Sequence, residues 1–514
     1  MRKDNSDIKN SLAISLIVLI GKMLGFVKQA VIAWAFGAGA TTDIFFAADG
    51  YTSMFGQIMG QSIAPTVLTR YVKLDAEGKK SQAVDLIKHC FLFFGIIGVS
   101  LVAINILLSS RICNLIGISY SVEQKTELKF FLIALCPVIL FTSLSGVAQG
   151  YLDAHKRFLP AKLCSLFFSI SIIVSVFAFR KELGIRALLY GFLFGYAAHT
   201  LFMLALSMRK TGIILGNPFK STDFRQMLGR LGPLVVGNSI VDLGHLIDKI
   251  VASSLVTGSV SALYYGQVIS SDLVNAVIIS SIGTVLLTSL TKNVSAKADK
   301  VLIVSKLQKT ICTMTLLTGF VSIIYFIEGR DFISLFFERG NFDASSSVAV
   351  SSIASFYAVG FIFMANREVL IKAHYAFQDT LTPMINSIIG VTSNLFGSIV
   401  LSKYMGVSGV AFATSLSMLV VTIVSLFTIK KHIDCFPINR QVFWDLLKII
   451  ICMSSSALIG VLSKRTMTNM NMFLRILIIS FVVGLSYILL AILLKENVIT
   501  AALLAAREKR KNTN

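Results

Sequence analysis

Long apolar runs dominate this chain and leave few folds open to it. A bilayer core is crossed by about 20 apolar residues in helical form, and runs of that length recur along almost the whole sequence. The runs are continuous rather than alternating, which favours helices over a transmembrane barrel. Charged residues make up 14% of the chain, against roughly 25% in soluble proteins. The sequence therefore predicts an all-α polytopic membrane protein.

The apolar runs predict fourteen transmembrane helices. Their approximate bounds are 11–36, 43–69, 88–109, 128–150, 159–179, 187–208, 231–256, 259–290, 308–327, 346–372, 382–402, 407–429, 443–463 and 472–494. The eighth run is long enough to be tilted or kinked. The longest gap, 209–230, leaves no room for a soluble domain. The first run lacks a small-residue cleavage site, so we expect an uncleaved span rather than a signal peptide.

The basic residues are distributed unevenly among the loops. Counting span edges with the adjoining loops, 30 Lys and Arg lie on the side of both termini and 11 on the opposite side. Because basic loops favour the cytoplasmic side, we expect both termini in the cytoplasm. The net charge of +21 then reflects loops beside anionic lipids, and no nucleic-acid partner is expected.

Three pairs of segments repeat at nearly one spacing, 219 to 223 residues. The pairs are Gly39–Ala47 with Gly258–Gly266, Tyr151–Pro160 with Tyr375–Pro383, and Leu183–Ala187 with Met405–Gly409. Each pair falls between equivalent spans, which predicts a duplicated six-helix unit. Because an even number of spans separates the copies, they form parallel lobes, with the substrate path expected between them.

This repeat divides the chain into four parts. We expect an N-terminal six-helix lobe at 1–208 and a cytoplasmic inter-lobe loop at 209–230. A C-terminal six-helix lobe follows at 231–430. Residues 431–514 then supply two additional helices and a basic cytoplasmic tail.

Motifs of common enzymes and ATP-driven pumps are missing. The chain has no GxxxxGK[ST] loop, HExxH or GxSxG motif. Its seven cysteines include no CxxC pair, and its six histidines lie far apart in sequence. We therefore expect no enzyme, no metal centre and no cofactor, with a monovalent coupling cation left open.

Ionisable residues inside the spans are the candidates for function, because a charge in hydrocarbon normally faces a cavity or a partner. Lys22 and Lys28 lie on the first span and point about 120° apart around a helix, so both can border one wide cavity. Asp43 and Asp49 on the second span are possible partners for these lysines. With Arg367 on the tenth span, the lysines would suit an anionic phosphate or diphosphate; purely structural ion pairs are the alternative.

A second set of polar residues suggests a cation site. Asp242, His245 and Asp248 recur every three residues on the seventh span and form a slanting polar stripe. Asn386 and Asn394 on the eleventh span could complete an ion-coupling site with Asp242 and Asp248. Neutralisation of the stripe by the neighbouring Lys249 is the alternative.

The chain resembles the MurJ/MviN family of lipid II flippases over most of its length. The resemblance is carried by Gly21–Lys28, Phe36–Gly39 with Asp43, Gly258–Tyr265, Phe337–Phe342 and Ala376–Pro383. It implies the multidrug/oligosaccharidyl-lipid/polysaccharide exporter fold. It also implies alternating access that moves an undecaprenyl-diphosphate-linked saccharide across the bacterial cytoplasmic membrane, with membrane lipids as the other partners. Lys22 and Lys28 stand where the family pattern has cavity arginines, and Asp43 where it has an aspartate.

Two segments depart from the family pattern. Tyr51–Gln57 replaces a Pro-Asn and arginine pair, and Gly266–Val268 replaces an Asp-Arg. A flippase for another lipid-linked surface polysaccharide is therefore an alternative to a lipid II flippase. A drug or cation antiporter of the same fold is a third possibility; it predicts an anionic central cavity.

Overall fold

Helices make up all the regular structure in the described part of the chain. The structure, a computed structural model, describes residues 2–211, 218–296, 299–495, 497 and 500, and contains no β-strand in those ranges. The helices are α1 (Arg2–Phe36), α2 (Ala40–Ala76), α3 (Lys80–Ile116), α4 (Val122–Leu135), α5 (Pro137–Ala154), α6 (Leu159–Lys162), α7 (Cys164–Leu183), α8 (Arg186–Thr211), α9 (Thr222–Ser253), α10 (Ser259–Gln267), α11 (Ser280–Ser295), α12 (Lys300–Phe337), α13 (Ala344–Ala376), α14 (Leu381–Met405), α15 (Val407–Thr428), α16 (Lys430–Ile433), α17 (Arg440–Thr466) and α18 (Met472–Leu493). The predicted all-α fold class is confirmed.

The predicted spans coincide with these helices. Within the described residues, twelve helical segments are long and apolar enough to cross a membrane, so the chain is a multi-pass membrane protein. The two predicted spans outside that set are α2 and α9, with 37 and 32 residues. Carboxylates and basic side chains interrupt their apolar sequence. If either α2 or α9 did not cross the membrane, all later loops would change sides, and the basic loops would no longer lie on one side.

Two spans are broken at positions with a clear local cause. α4 ends at Leu135 and α5 begins at Pro137, because a proline ring cannot donate the backbone hydrogen bond and clashes with the preceding turn. In the eighth span, two π-helical segments (Val268–Asp272 and Asn275–Ile279) separate α10 from α11. Such segments widen the helical turn, in agreement with the expected irregularity of this long span.

Several helices are much longer than the membrane core. α3 and α12 have 37 and 38 residues, or about 55 Å at 1.5 Å per residue. A bilayer core is about 30 Å thick. Segments that hydropathy assigns to loops therefore continue as helix on one or both sides of the membrane.

The contacts between helices divide the chain into two compact units. Unit 1 comprises Met1–Ser261 with Arg339–Phe342, and unit 2 comprises Ala262–Glu338 with Asp343–Asn514. α9 packs against α2 and α3 in unit 1, although the predicted C-terminal lobe begins at 231. α17 and α18 pack on α12 and on each other in unit 2. The four-part division predicted from the repeat stays a prediction; part of its inter-lobe loop (212–217) and the tail from 501 lie outside the described residues.

The two copies of the repeat have the same local geometry at an offset of 222 residues. Gly184 and Gly406 both end a helix with a positive φ, of 57° and 58°. The Thr200 hydroxyl donates to the carbonyl of Phe141 at 3.1 Å. The Thr422 hydroxyl makes the same bond to Phe363 at 2.9 Å. A shared spacing of turns and buried hydrogen bonds supports the duplication that the sequence predicted.

Candidate functional site

Lys28 is a buried cation on the first helix. It lies on α1, is 8% exposed, and its Nζ is 4.6 Å from the centre of the Phe168 ring on α7. A lysine over an aromatic face gains a favourable cation–π interaction. Lys22, six residues earlier, is exposed. The two predicted lysines thus occupy different environments, and only Lys28 is enclosed by protein.

Asp49 on α2 is the acidic group that acts on Lys28. The two side chains interact electrostatically, and the Asp49 carboxylate also accepts a hydrogen bond from Ser53 Oγ at 2.6 Å. Asp49 itself is buried. Of the two aspartates, Asp49 is the one with an electrostatic interaction with Lys28; a direct lysine–aspartate pair between the first two spans stays a prediction.

Asp43 links the start of α2 to the start of α10. Its Oδ2 accepts from the Gly258 N–H at 2.6 Å. Its Oδ1 accepts from the Ser261 N–H at 2.7 Å and from Ser261 Oγ at 2.6 Å. Backbone N–H groups at a helix start lack intrahelical partners, so the carboxylate caps α10 from a distant part of the sequence. Both oxygens of Asp43 are engaged in this conformation.

A second contact lies beside this one in unit 1. The Asn341 N–H donates to the carbonyl of Trp34 at 3.0 Å, and Asn341 Nδ2 donates to the carbonyl of Ala35 at 2.7 Å. Gly37 and Gly340 adopt positive φ angles at this point, and a Cβ on either would collide with the facing backbone. Three segments that carry the family resemblance thus meet at one end of α1 and α2. We call this set, Trp34–Asp43 with Gly258–Ser261 and Gly340–Phe342, the clasp.

The polar residues of α9 lie in different environments, and Lys249 is the one in contact with α2. Lys249 Nζ lies 3.5 Å from the carbonyl of Phe46, and its side chain crosses Gly50, where a Cβ would collide with it. Asp248 is buried. The Oδ2 atom of Asp242 is buried and has no hydrogen-bond partner among the described residues. A buried carboxylate oxygen without a partner is costly. Asp242 therefore has an oxygen that is available to bind a cation.

The candidate residues of unit 2 have partners on neighbouring helices. Arg367 on α13 donates to Ser387 Oγ on α14 at 3.4 Å. The neighbouring Glu368 instead pairs with Lys372 at 3.0 Å. Asn386 Nδ2 donates to Ser425 Oγ at 3.1 Å and to Thr428 Oγ1 at 3.0 Å on α15.

Asn394 is the remaining predicted site residue in unit 2. It is buried on α14, and its Oδ1 accepts from Ser398 Oγ at 3.4 Å. The predicted substrate-binding and ion-coupling sets each take residues from both units. That the residues of each set come together in one site stays a prediction.

Among the described residues, two clusters of ionisable side chains were missed by the sequence analysis. In unit 2, Asp331 on α12 accepts from Lys464 on α17 at 2.8 Å and from Arg475 on α18 at 2.7 Å. His374, Asp379 and His432 form the second cluster, with ligand-type atoms close together. Each cluster joins residues that lie more than 50 positions apart in the sequence. The spacing of charges along one helix cannot predict such contacts.

Comparisons with known proteins agree on one family. The family model described as lipid II flippase MurJ matches residues 32–482. A probable lipid II flippase MurJ of Treponema pallidum is 25% identical over 446 residues, covering 84% of this chain and 83% of that protein. A protein of the same description from Vibrio cholerae is 26% identical over 432 residues, covering 80% of each.

Solved structures agree in fold. A lipid II flippase MurJ in an inward closed conformation matches with a TM-score of 0.81 at 23% identity, covering 94% of this chain and 99% of that chain. A multidrug resistance MATE family transporter of the MOP superfamily, in an inward-facing conformation, matches with a TM-score of 0.63 at 14% identity. That match covers 82% of this chain and 98% of the transporter. At these identities the structural matches establish the fold alone.

Proposed function

Because this chain belongs to the MurJ family, we propose that it is a flippase for an undecaprenyl-diphosphate-linked saccharide, the peptidoglycan precursor lipid II. The saccharide crosses the cytoplasmic membrane by alternating access of the two lobes, and the prenyl chain stays in lipid. The reaction is transport and breaks no covalent bond. Both termini lie in the cytoplasm, as the distribution of basic loops indicates.

Lys28 is the single observation that carries this proposal beyond the family match. An ammonium group that is 8% exposed on an apolar helix is costly to bury, and Phe168 and Asp49 offset only part of that cost. A diphosphate would supply the strong acceptor oxygens that such a group lacks. We assign Lys28 to the diphosphate, with Lys22 and Arg367 as further cationic contacts.

Asp43 serves substrate transport through the clasp. Since both of its oxygens bind the start of α10, a direct contact with substrate requires these hydrogen bonds to open. The clasp lies at the end of the span that the loop charges place outside the cell. We therefore assign it to closing that end while the substrate is taken up from the cytoplasm.

The energy source we propose is the membrane potential or an ion gradient. The sequence lacks the phosphate-binding loop of ATP-driven pumps. Asp242, with its unpartnered buried oxygen, is the first candidate ligand for a monovalent cation. Asp248, Asn386 and Asn394 are the further candidates. Lipid-linked glycan and membrane lipids are the proposed partners, and nucleic acid is not among them.

A flippase for another lipid-linked polysaccharide is the second candidate. It is favoured by one segment of α2, where Tyr51 stands in place of the family's polar and basic residues. The Tyr51 hydroxyl donates to Asn105 Oδ1 at 2.6 Å, and the ring packs against Phe55. An uncharged, packed side chain at this point removes a contact for an anionic headgroup.

Replacement of a known lipid II flippase separates the two candidates. This chain is expressed in cells from which their own lipid II flippase is depleted, and its insertion in the membrane is verified. Restored growth is the expected result. Failure to restore growth by a fully inserted protein would contradict the lipid II assignment and favour the other polysaccharide.

A further inference from the structure

A compact set of metal-ligating side chains lies where α13, α14 and α16 end or begin. We propose that His374, Asp379 and His432 bind a transition-metal ion of the zinc class. His374 Nδ1 lies 3.1 Å from Asp379 Oδ2, and His432 Nε2 lies 2.9 Å from the same oxygen. The three ligand atoms all lie within 4.8 Å of one another. This assignment is independent of the transport proposal.

Two of the three ligand-atom distances are close to those around a tetrahedral ion, and the third, between the two imidazole nitrogens, is within 4.8 Å. Zinc binds imidazole nitrogen and carboxylate oxygen at about 2.0–2.2 Å, which places its ligand atoms roughly 3.4 Å apart. The observed 2.9 and 3.1 Å therefore need shifts of only a few tenths of an ångström. Two imidazoles and one carboxylate are typical of zinc and its neighbours, whereas calcium and magnesium prefer oxygen ligands. The fourth position is left for water.

The histidine rings are already held in place. His374 is fully buried, and its second nitrogen, Nε2, lies 3.3 Å from Thr428 Oγ1. His432 stacks on the Phe377 ring at 4.9 Å with an interplanar angle of 4°. Partners of this kind orient metal-ligating histidines and raise metal affinity. The site would therefore bind metal without a large rearrangement of side chains.

Helix capping alone does not account for the cluster. Asp379 Oδ1 accepts from the Thr382 N–H at 3.1 Å and caps α14, but Oδ2 is the atom that faces both histidines. The turn itself also forms in the first copy of the repeat. There the Arg157 N–H donates to Leu152 at 2.9 Å, as the Asp379 N–H donates to His374 at 3.0 Å. The first copy thus builds the same turn without a histidine or an aspartate at these two positions.

Lys431 is the group that a metal ion would displace. Its Nζ lies 2.6 Å from Asp379 Oδ2, and its side chain is 50% exposed. An exposed lysine that leaves a carboxylate regains its hydration in water, and surface ion pairs contribute little stability. A divalent ion can therefore take its place, and removal of Lys431 should strengthen metal binding.

The test is titration of the purified full-length protein with Zn²⁺ in the presence of a competing chelator. The Cys435→Ser variant serves as the parent, which removes an exposed thiol. We expect one tightly bound ion per chain, and X-ray absorption should show two nitrogen ligands of the histidine type. Asp379→Asn and His432→Ala should each lower the affinity at least about tenfold. Lys431→Met should raise it several-fold.

Matched controls make the result decisive. His155→Ala removes a histidine from the corresponding turn of the first copy and should leave the affinity unchanged. His432 is partly exposed, so its variant tests the site even where replacement of buried His374 disturbs folding. The proposal is overturned if the parent binds no stoichiometric zinc. Equal affinities for the parent, Asp379→Asn and His432→Ala would overturn it as well.

Discussion

At the scale of single residues, the proposed transport function depends on two buried charged side chains, Lys28 and Asp43. Lys28 could be chosen from the sequence because a lysine within an apolar run needs a partner. Its contact with Phe168 and its electrostatic interaction with Asp49 could not, since they depend on how α1, α2 and α7 pack. Asp43 was chosen from the family resemblance, because it stands where the family pattern has an aspartate. Its partner at Ser261 is 218 residues away, beyond the reach of any local pattern.

Removal of the Lys28 charge should impair transport. A charged hydrogen-bonding group contributes about 1.5–3 kcal/mol, so Lys28→Ala should lower the transport rate about 10- to 100-fold, while Lys28→Arg should retain more of it. Rescue of flippase-depleted cells at graded expression levels measures this difference. Lys403→Ala, which removes an exposed lysine of α14, is the control and should behave as the parent. Full rescue by Lys28→Ala at the lowest expression level would exclude the proposed contact.

Loss of the Asp43 carboxylate should open the clasp. In Asp43→Asn the amide NH₂ faces an N–H donor, so at least one of the three hydrogen bonds is lost and a donor is left unpaired, at about 1–3 kcal/mol. Ser261→Ala removes only the hydroxyl bond and should have a smaller effect. Hydrogen exchange of the Gly258 and Ser261 amides measures both. Exchange that is as slow in Asp43→Asn as in the parent would show that this carboxylate does not hold α10.

At the scale of helices, hydropathy predicts apolar length and little else. It located the spans but missed the extension of α3 and α12 beyond the membrane, because polar helix and polar loop have similar composition. The break at Pro137 could have been predicted from the proline itself. The placement of α9 in unit 1 could not, because the repeat assigns it to the second copy while its contacts with α2 depend on tertiary packing.

The Asp331 cluster should stabilise the packing of α17 and α18 on α12. Asp331→Asn leaves Lys464 and Arg475 without their shared carboxylate, and we expect a loss of about 1–3 kcal/mol in the free energy of unfolding. Asp434→Asn breaks an exposed pair with Lys300 and should cost less than about 1 kcal/mol. Thermal unfolding of both variants in one detergent gives the comparison. Equal unfolding temperatures for the two variants would show that this cluster does not hold the C-terminal helices.

At the scale of the whole molecule, the order of spans and the repeat were predictable because both are written along the chain. Equivalent turns at Gly184 and Gly406 have nearly equal φ angles, which supports the predicted duplication at these positions. The cluster of His374, Asp379 and His432 was not predictable, since His374 and His432 lie 58 residues apart and meet only through the packing of unit 2. Contacts between distant helices are the part of the fold that composition and spacing leave undetermined.

The proposed orientation can be measured with single cysteines in a variant without native cysteines. Ser119→Cys follows the third span and should react with a membrane-impermeant reagent in intact cells. Lys79→Cys precedes that span and should react only after the membrane is opened. Both positions are exposed, so a lack of reaction will reflect the side of the membrane. The reverse pattern would place both termini outside the cell and contradict the proposed direction of transport.

The central claim is that this chain carries lipid II across the membrane. Its most direct measurement is the fraction of labelled lipid II that an externally added hydrolase can cleave in cells whose only lipid II flippase is this chain. We predict that most lipid II becomes cleavable when the chain is expressed, and that Lys28→Ala lowers this fraction. Lipid II that stays protected despite normal membrane insertion of the chain would contradict the account.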